Sequence, residues 1–106
     1  MNTLTLEEVI TLIVGRLSEK GFSATEVPEH HKNFTLSSMI SEDYIEYKVM
    51  YKEDIVCYIQ VWESAKGSVK LSLLRMLPEF EKVPNTGAIE ELVERYDGLI
   101  YTYIKY

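Results

Sequence analysis

Residues 43–62 read DYIEYKVMYKEDIVCYIQVW and hold four of the chain's eight tyrosines, its only tryptophan and its only cysteine. Ile45, Tyr47, Val49 and Tyr51 alternate on one side of the segment, and Ile55, Cys57, Ile59 and Val61 repeat the alternation after Lys52-Glu53-Asp54. A period of two marks half-buried strands, so the stretch reads as a hairpin. A three-residue loop ending in Asp54, a residue type that tolerates the left-handed conformation, pairs Tyr51 with Ile55, Val49 with Cys57, Tyr47 with Ile59 and Ile45 with Val61. A two-residue loop sets Ile59 against Lys48 and Val61 against Glu46, which mixes apolar and charged side chains on one face and is disfavoured.

The same parity carries outward. A turn at Ser64-Ala65-Lys66-Gly67 leads to a strand that sets Val69, Leu71 and Leu73 opposite Val61, Ile59 and Cys57. Upstream, NFTLSSMI (residues 33–40) alternates as a strand, and a turn at Glu42-Asp43 pairs Ile40 with Ile45, Leu36 with Val49 and Phe34 with Tyr51. Residues 22–27 supply a fifth, short strand that Pro28 ends, because proline cannot donate to a ladder.

Helices flank the strands. Thr5-Leu6-Glu7-Glu8 matches a capping box, after which Leu6, Val9, Ile10, Ile13, Val14 and Leu17 share one helical stripe and Lys20-Gly21 marks the stop. From Ala88 onward, Ile89, Leu92, Val93, Tyr96, Leu99, Ile100, Tyr103 and Ile104 fall within an arc of about 160° at about 100° per residue. One helix running through Gly98 accounts for this at a cost of roughly 1 kcal/mol for the glycine. The rival is a helix that stops at Gly98, followed by a strand LIYTYIKY, since tyrosine-rich runs suit strands. The expected fold is α+β: a two-layer sandwich with an N-terminal helix, a four-stranded antiparallel meander (five with residues 22–27) and a C-terminal helix. Both helices lie on one face.

The chain has 106 residues, enough for one core and too few for two, so residues 1–106 form a single expected domain. Its composition, 46% hydrophobic and 26% charged, is that of a globular protein. Seventeen acids against eleven bases give a formal charge of −6, which repels phosphate backbones and argues against nucleic acid as a partner. Glu7 and Glu8 precede the first apolar segment and no basic n-region does, so it fails as a signal peptide. No run approaches a membrane span. A single cysteine excludes an internal disulfide; the expected compartment is the cytoplasm.

Sites are sought among residue types that carry chemistry. Cys57, mid-strand, reads as a buried small hydrophobe remote from either histidine. His30-His31, with Glu26 and Glu29 nearby, are metal-capable residue types at a poor spacing, and they read as a solvated loop pair. No nucleophile elbow, phosphate loop or paired-acid motif occurs, so no catalytic, metal or cofactor site is expected. Val83-Pro84-Asn85-Thr86-Gly87 resembles the sortase sorting signal over five residues, but an acidic amphipathic helix follows it. The stretch reads instead as a helix entry with Asn85 or Thr86 as cap. Asn33-Phe34-Thr35 is a formal glycosylation sequon without a secretory context.

With odd-numbered strand residues turned to the core, the outer face carries an apolar and aromatic set: Tyr44, Met50, Val56, Tyr58, Trp62 and Leu74. Met50 opposes Val56, Val56 opposes Leu74 and Tyr44 opposes Trp62. Aromatic residues and methionine are enriched where proteins bind one another. The expected function is a small acidic, non-catalytic interaction module of adaptor, chaperone-like or inhibitor type, binding a protein partner or itself as a homodimer through these six residues. The alternative is a small-ligand domain with a pocket between helices and sheet, to which Tyr47, Tyr51, Tyr96 or Tyr103 lend hydroxyls.

Overall fold

The computed structural model describes residues 5–29, 43–96 and 98–104. The capping box is present: the Thr5 hydroxyl accepts from Glu8 N at 3.2 Å and Thr5 N donates to Glu8 Oε1 at 3.1 Å. These bonds start α1 (Leu6–Glu19) and hold the Glu8 carboxyl below its ordinary pKa. Val9, Ile13 and Leu17 form the buried stripe, each at most 1% exposed, and burial of such a side chain contributes roughly 1.5–3 kcal/mol. Gly21, with φ +90°, takes the left-handed stop that leads into Phe22.

Five strands follow: β1 (Ser23–Glu26), β2 (Tyr44–Tyr51), β3 (Asp54–Glu63), β4 (Val69–Leu77) and β5 (Leu99–Ile104), in spatial order β1-β2-β3-β4-β5. Between β4 and β5 lie α2 (Glu79–Lys82) and α3 (Thr86–Arg95). The first four strands are an antiparallel meander, whereas β5 runs parallel to β4, so the sheet is mixed. Core residues from α1 (Val9, Ile13, Leu17), α2 (Phe80) and α3 (Ile89, Val93) form one cluster with Val49, Cys57, Ile59, Val61, Leu71 and Leu73. The helices therefore cover the odd-numbered face, as the period-two pattern predicts.

The central hairpin keeps the expected pairs Tyr44–Trp62, Ile45–Val61, Tyr47–Ile59 and Val49–Cys57 but turns differently. Tyr51 faces Asp54 rather than Ile55, so the loop is the two residues Lys52-Glu53, with the left-handed conformation on Lys52 (φ 57°) and not on Asp54. A bulge between Val49 and Met50 absorbs the one-residue offset: Met50 faces Ile55, and Val56 is the extra residue. The short loop and the apolar register are thus both satisfied, a combination that strict alternation excludes. The expected Met50–Val56 pair is not formed.

On the other side of β3, the register is two residues from the one expected. Val61 faces Leu71, Ile59 faces Leu73 and Glu63 faces Val69, while Tyr58, not Val56, faces Leu74. A shift of two keeps every side chain on its expected face, so parity alone could not detect it.

Two elements differ in kind. The strand beside β2 is β1, with Ala24 facing Val49 and Glu26 facing Tyr47, so the place assigned to residues 33–40 is taken by residues 23–26. Residues 33–40 themselves lie outside the described residues. The C-terminal helix ends at Arg95, and residues 99–104 are the rival strand. Both Tyr96 N and Gly98 N donate to Val93 O, at 3.2 and 3.0 Å, closing the helix. At Gly98 the backbone passes so close to β4 and α3 that a Cβ would collide with Leu71 O and lie 2.6 Å from Val93 Cγ1. A residue with a side chain could take that place only if β4 and α3 moved apart, and beyond it Ile100 packs on the core beside its partner Leu73.

Candidate functional site

The face of the sheet turned away from the helices is built from the even-numbered residues of β2 and β4, Tyr58, Gln60 and Trp62 of β3 with Ile55 opposite Met50 before the bulge, and the odd-numbered residues of β5. Registers align them in rows. One row runs Thr25–Lys48–Tyr58–Leu74–Tyr101 across all five strands; the next runs Glu46–Gln60–Ser72–Leu99. Beyond these lie Tyr44–Trp62–Lys70 on one side and Met76–Tyr103 on the other.

The second row is a polar ladder inside the sheet face. Ser72 Oγ donates to Gln60 Oε1 at 2.7 Å, and Gln60 Nε2 donates to Glu46 Oε2 at 2.7 Å. Glu46 and Gln60 have no exposed surface and Ser72 has 2%. An amide is suited to the middle position because it offers an acceptor to the serine hydroxyl and a donor to the carboxylate. The neighbouring Tyr58 hydroxyl is pushed above its ordinary pKa, first by desolvation and then by the negative charge of Glu46. Tyr47, on the opposite face, is raised in the same way by desolvation and by Glu26.

Of the six residues expected to form a contact surface, four remain half-buried on this face: Met50, Tyr58, Trp62 and Leu74. Val56 does not. The bulge turns it inward, where it is fully buried beside Cys57 in the core. Tyr44 keeps its place opposite Trp62 but is buried, with 5% exposed. The strand β5, read as helix from the arc of its apolar residues, adds Leu99, Tyr101 and Tyr103 to the face, of which Leu99 is 64% and Tyr103 54% exposed. Period-two alternation in LIYTYI could have found them. Apolar residues on both sides of that strand equally satisfied a helical stripe.

The other sequence candidates are not drawn together. Cys57 is fully buried among aliphatic side chains, and burial pushes its thiol well above the ordinary value. His30, His31 and the Asn33 sequon lie outside the described residues. Among the described residues, no group of three His, Cys, Asp or Glu could hold a metal ion, and no helix is long and apolar enough to cross a membrane. Asn85 occupies the N-cap of α3 in a left-handed conformation (φ 67°), its side-chain nitrogen donating to Lys20 O at 3.4 Å while its side chain accepts no bond from the helix N–H groups. Tyr47, Tyr51 and Tyr96 sit partly buried around the core, whereas Tyr103 is on the opposite face, so the four tyrosines do not line a common space. Comparison with protein-family models, curated proteins and solved structures finds no match to this chain.

Proposed function

We propose that the chain is a non-catalytic interaction module that takes a protein partner through the outer face of its sheet. The observation that carries this is the row Lys48–Tyr58–Leu74–Tyr101, with Trp62 on the far side of the Glu46–Gln60–Ser72 ladder and exposed Leu99 and Tyr103 flanking Tyr101 on β5. A sheet face that meets only water is ordinarily polar. Aromatic and methionine side chains around a hydrogen-bonded polar centre have instead the composition of a contact surface. The ladder beneath fixes the register of β2, β3 and β4, which supports a preorganised surface rather than one that must order on binding.

Charge favours one kind of partner. Glu7, Glu8, Glu19, Glu81, Glu91 and Glu94 are exposed on the helices, while the charged groups of the outer face among the described residues are Lys48, Lys70 and the buried Glu46. Despite the chain's net −6, this face suits an apolar surface with a neutral or mildly acidic rim. The test is affinity capture from the native host with wild type and with Trp62→Glu/Leu74→Glu. A protein retained by the wild type and lost by the folded variant supports the proposal; equal recovery by both overturns it.

A further inference from the structure

We infer that two copies of this chain pair edge to edge through β5, joining their sheets into one of ten strands. The surface used is the edge of the sheet and not its outer face, so the inference does not rest on the function proposed above.

The two edges of the sheet are unlike. At one edge, β1 is four residues long, contains Glu26 and is followed by Pro28 two residues later. Shortness, an edge charge and a nearby proline are the devices that discourage further strand pairing. At the other edge, β5 has six residues, LIYTYI, with no charge and no proline. Among the described residues it is paired on one side only, with β4. Its other side presents a row of backbone N–H and C=O groups, and the partner that matches such a row is another strand. Among the described residues, three of the four exposed large hydrophobic side chains are on β5: Leu99, Tyr103 and Ile104, the last 52% exposed.

The strand also complements itself. A two-fold axis normal to the sheet makes two β5 strands antiparallel and keeps side chains of the same face opposite one another. With the axis at Thr102, Ile100 meets Ile104 of the second copy on the helix face, and Tyr101 meets Tyr103 of the second copy on the outer face. With the axis at Tyr101, Leu99 meets Tyr103 of the second copy. In either register apolar side chains meet on the outer face, and no like charges come into register within the strand, so the chain's net −6 is not concentrated at the contact. A foreign strand would have to match this pattern, whereas a second copy matches it by symmetry. The same axis places all helices on one side of the joined sheet and makes the two outer faces continuous.

A contact built on one six-residue strand is at the small end of stable interfaces, so the pair dissociates on dilution. Light scattering of the full chain from micromolar to millimolar concentration is expected to show the mass rising from one chain to two. Tyr103→Glu/Ile104→Glu, which alters side chains exposed in the single copy, is expected to hold the mass at one chain with an unchanged circular dichroism spectrum; Trp62→Glu is expected to pair normally. A wild type of one-chain mass throughout, or pairing that survives in the β5 variant, overturns the inference. Loss of pairing in Trp62→Glu alone would transfer the contact to the outer face and also overturn it. Should the β5 variant fail to fold, amide hydrogen exchange of the wild type decides. Protection of residues 99–104 that grows with concentration supports edge pairing, and protection independent of concentration refutes it.

Discussion

Gln60 Nε2 donates to Glu46 Oε2 over 2.7 Å, between two side chains with no exposed surface, on the face of the sheet opposite the helices. Because Gln60 also accepts from Ser72, one amide links three strands. Gln60→Leu removes both bonds while retaining bulk, and a buried polar group that loses its partner costs about 1–3 kcal/mol. The expected result is a loss of at least about 2 kcal/mol in urea unfolding, with Gln60→Glu also destabilised because it faces a second carboxylate. A Gln60→Leu variant as stable as wild type would show that the ladder does not hold the register.

Gly98 predicts a second effect. The space a Cβ would need is occupied by Leu71 O, Val93 Cγ1 and Val93 O. Gly98→Ala therefore requires α3 and β4 to move apart, and forced overpacking costs about 1–3 kcal/mol. Glycine to alanine at an exposed helical site would instead stabilise. The sign of the change in melting temperature thus separates the turn seen here from a continuous helix.

Val56 and Leu74 provide a contrast. Val56, carried inward by the bulge, is expected to cost about 2 kcal/mol on truncation to alanine, from two buried methyl groups and the cavity they leave. Leu74→Ala, on the outer face, is expected to cost less than half of that. Equal costs would mean that Val56 does not face the core.

These differences also explain how far the sequence could be read. Inward and outward assignment of β2, β3 and β4 followed from alternation and holds at every described position from Tyr44 to Val49 and from Cys57 to Leu74. What alternation cannot express is an odd residue that resets it, and Val56 is that residue. Nor can it fix a shift of two, as between β3 and β4, because both registers place the same side chains on the same face. The segment 99–104 was ambiguous for another reason: apolar on both sides, it fits a helical arc and a strand alike, and the open edge of β4 decides between them. Glu46, Gln60 and Ser72 were assigned to the outer face, but their burial depends on which cross-strand neighbours meet, which no single strand encodes.

The Cys57 thiol gives a pH dependence. Burial raises its folded value above the ordinary 9.0, so the neutral thiol's contribution is fully present below 9.0 and is lost as pH rises towards the folded value. Tyr47 and Tyr58, raised from 10.0, add in the same direction. Urea midpoints are expected to be flat near neutrality and to fall as pH is taken above 9.0, with a shallower fall in Cys57→Ala. In the native protein below 9.0, a thiol reagent is expected to label Cys57 only at the rate of unfolding. Rapid labelling without denaturant would contradict its burial.

The inequality of the two sheet edges has a consequence for assembly. Once β5 is occupied by its symmetry mate, the strands left at the borders of the joined sheet, among the described residues, are two copies of Ser23–Glu26, each with Glu26 at its rim and Pro28 just beyond. Growth by strand addition then has nowhere to continue, so a chain with an adhesive border closes at a finite size instead of propagating into a fibril.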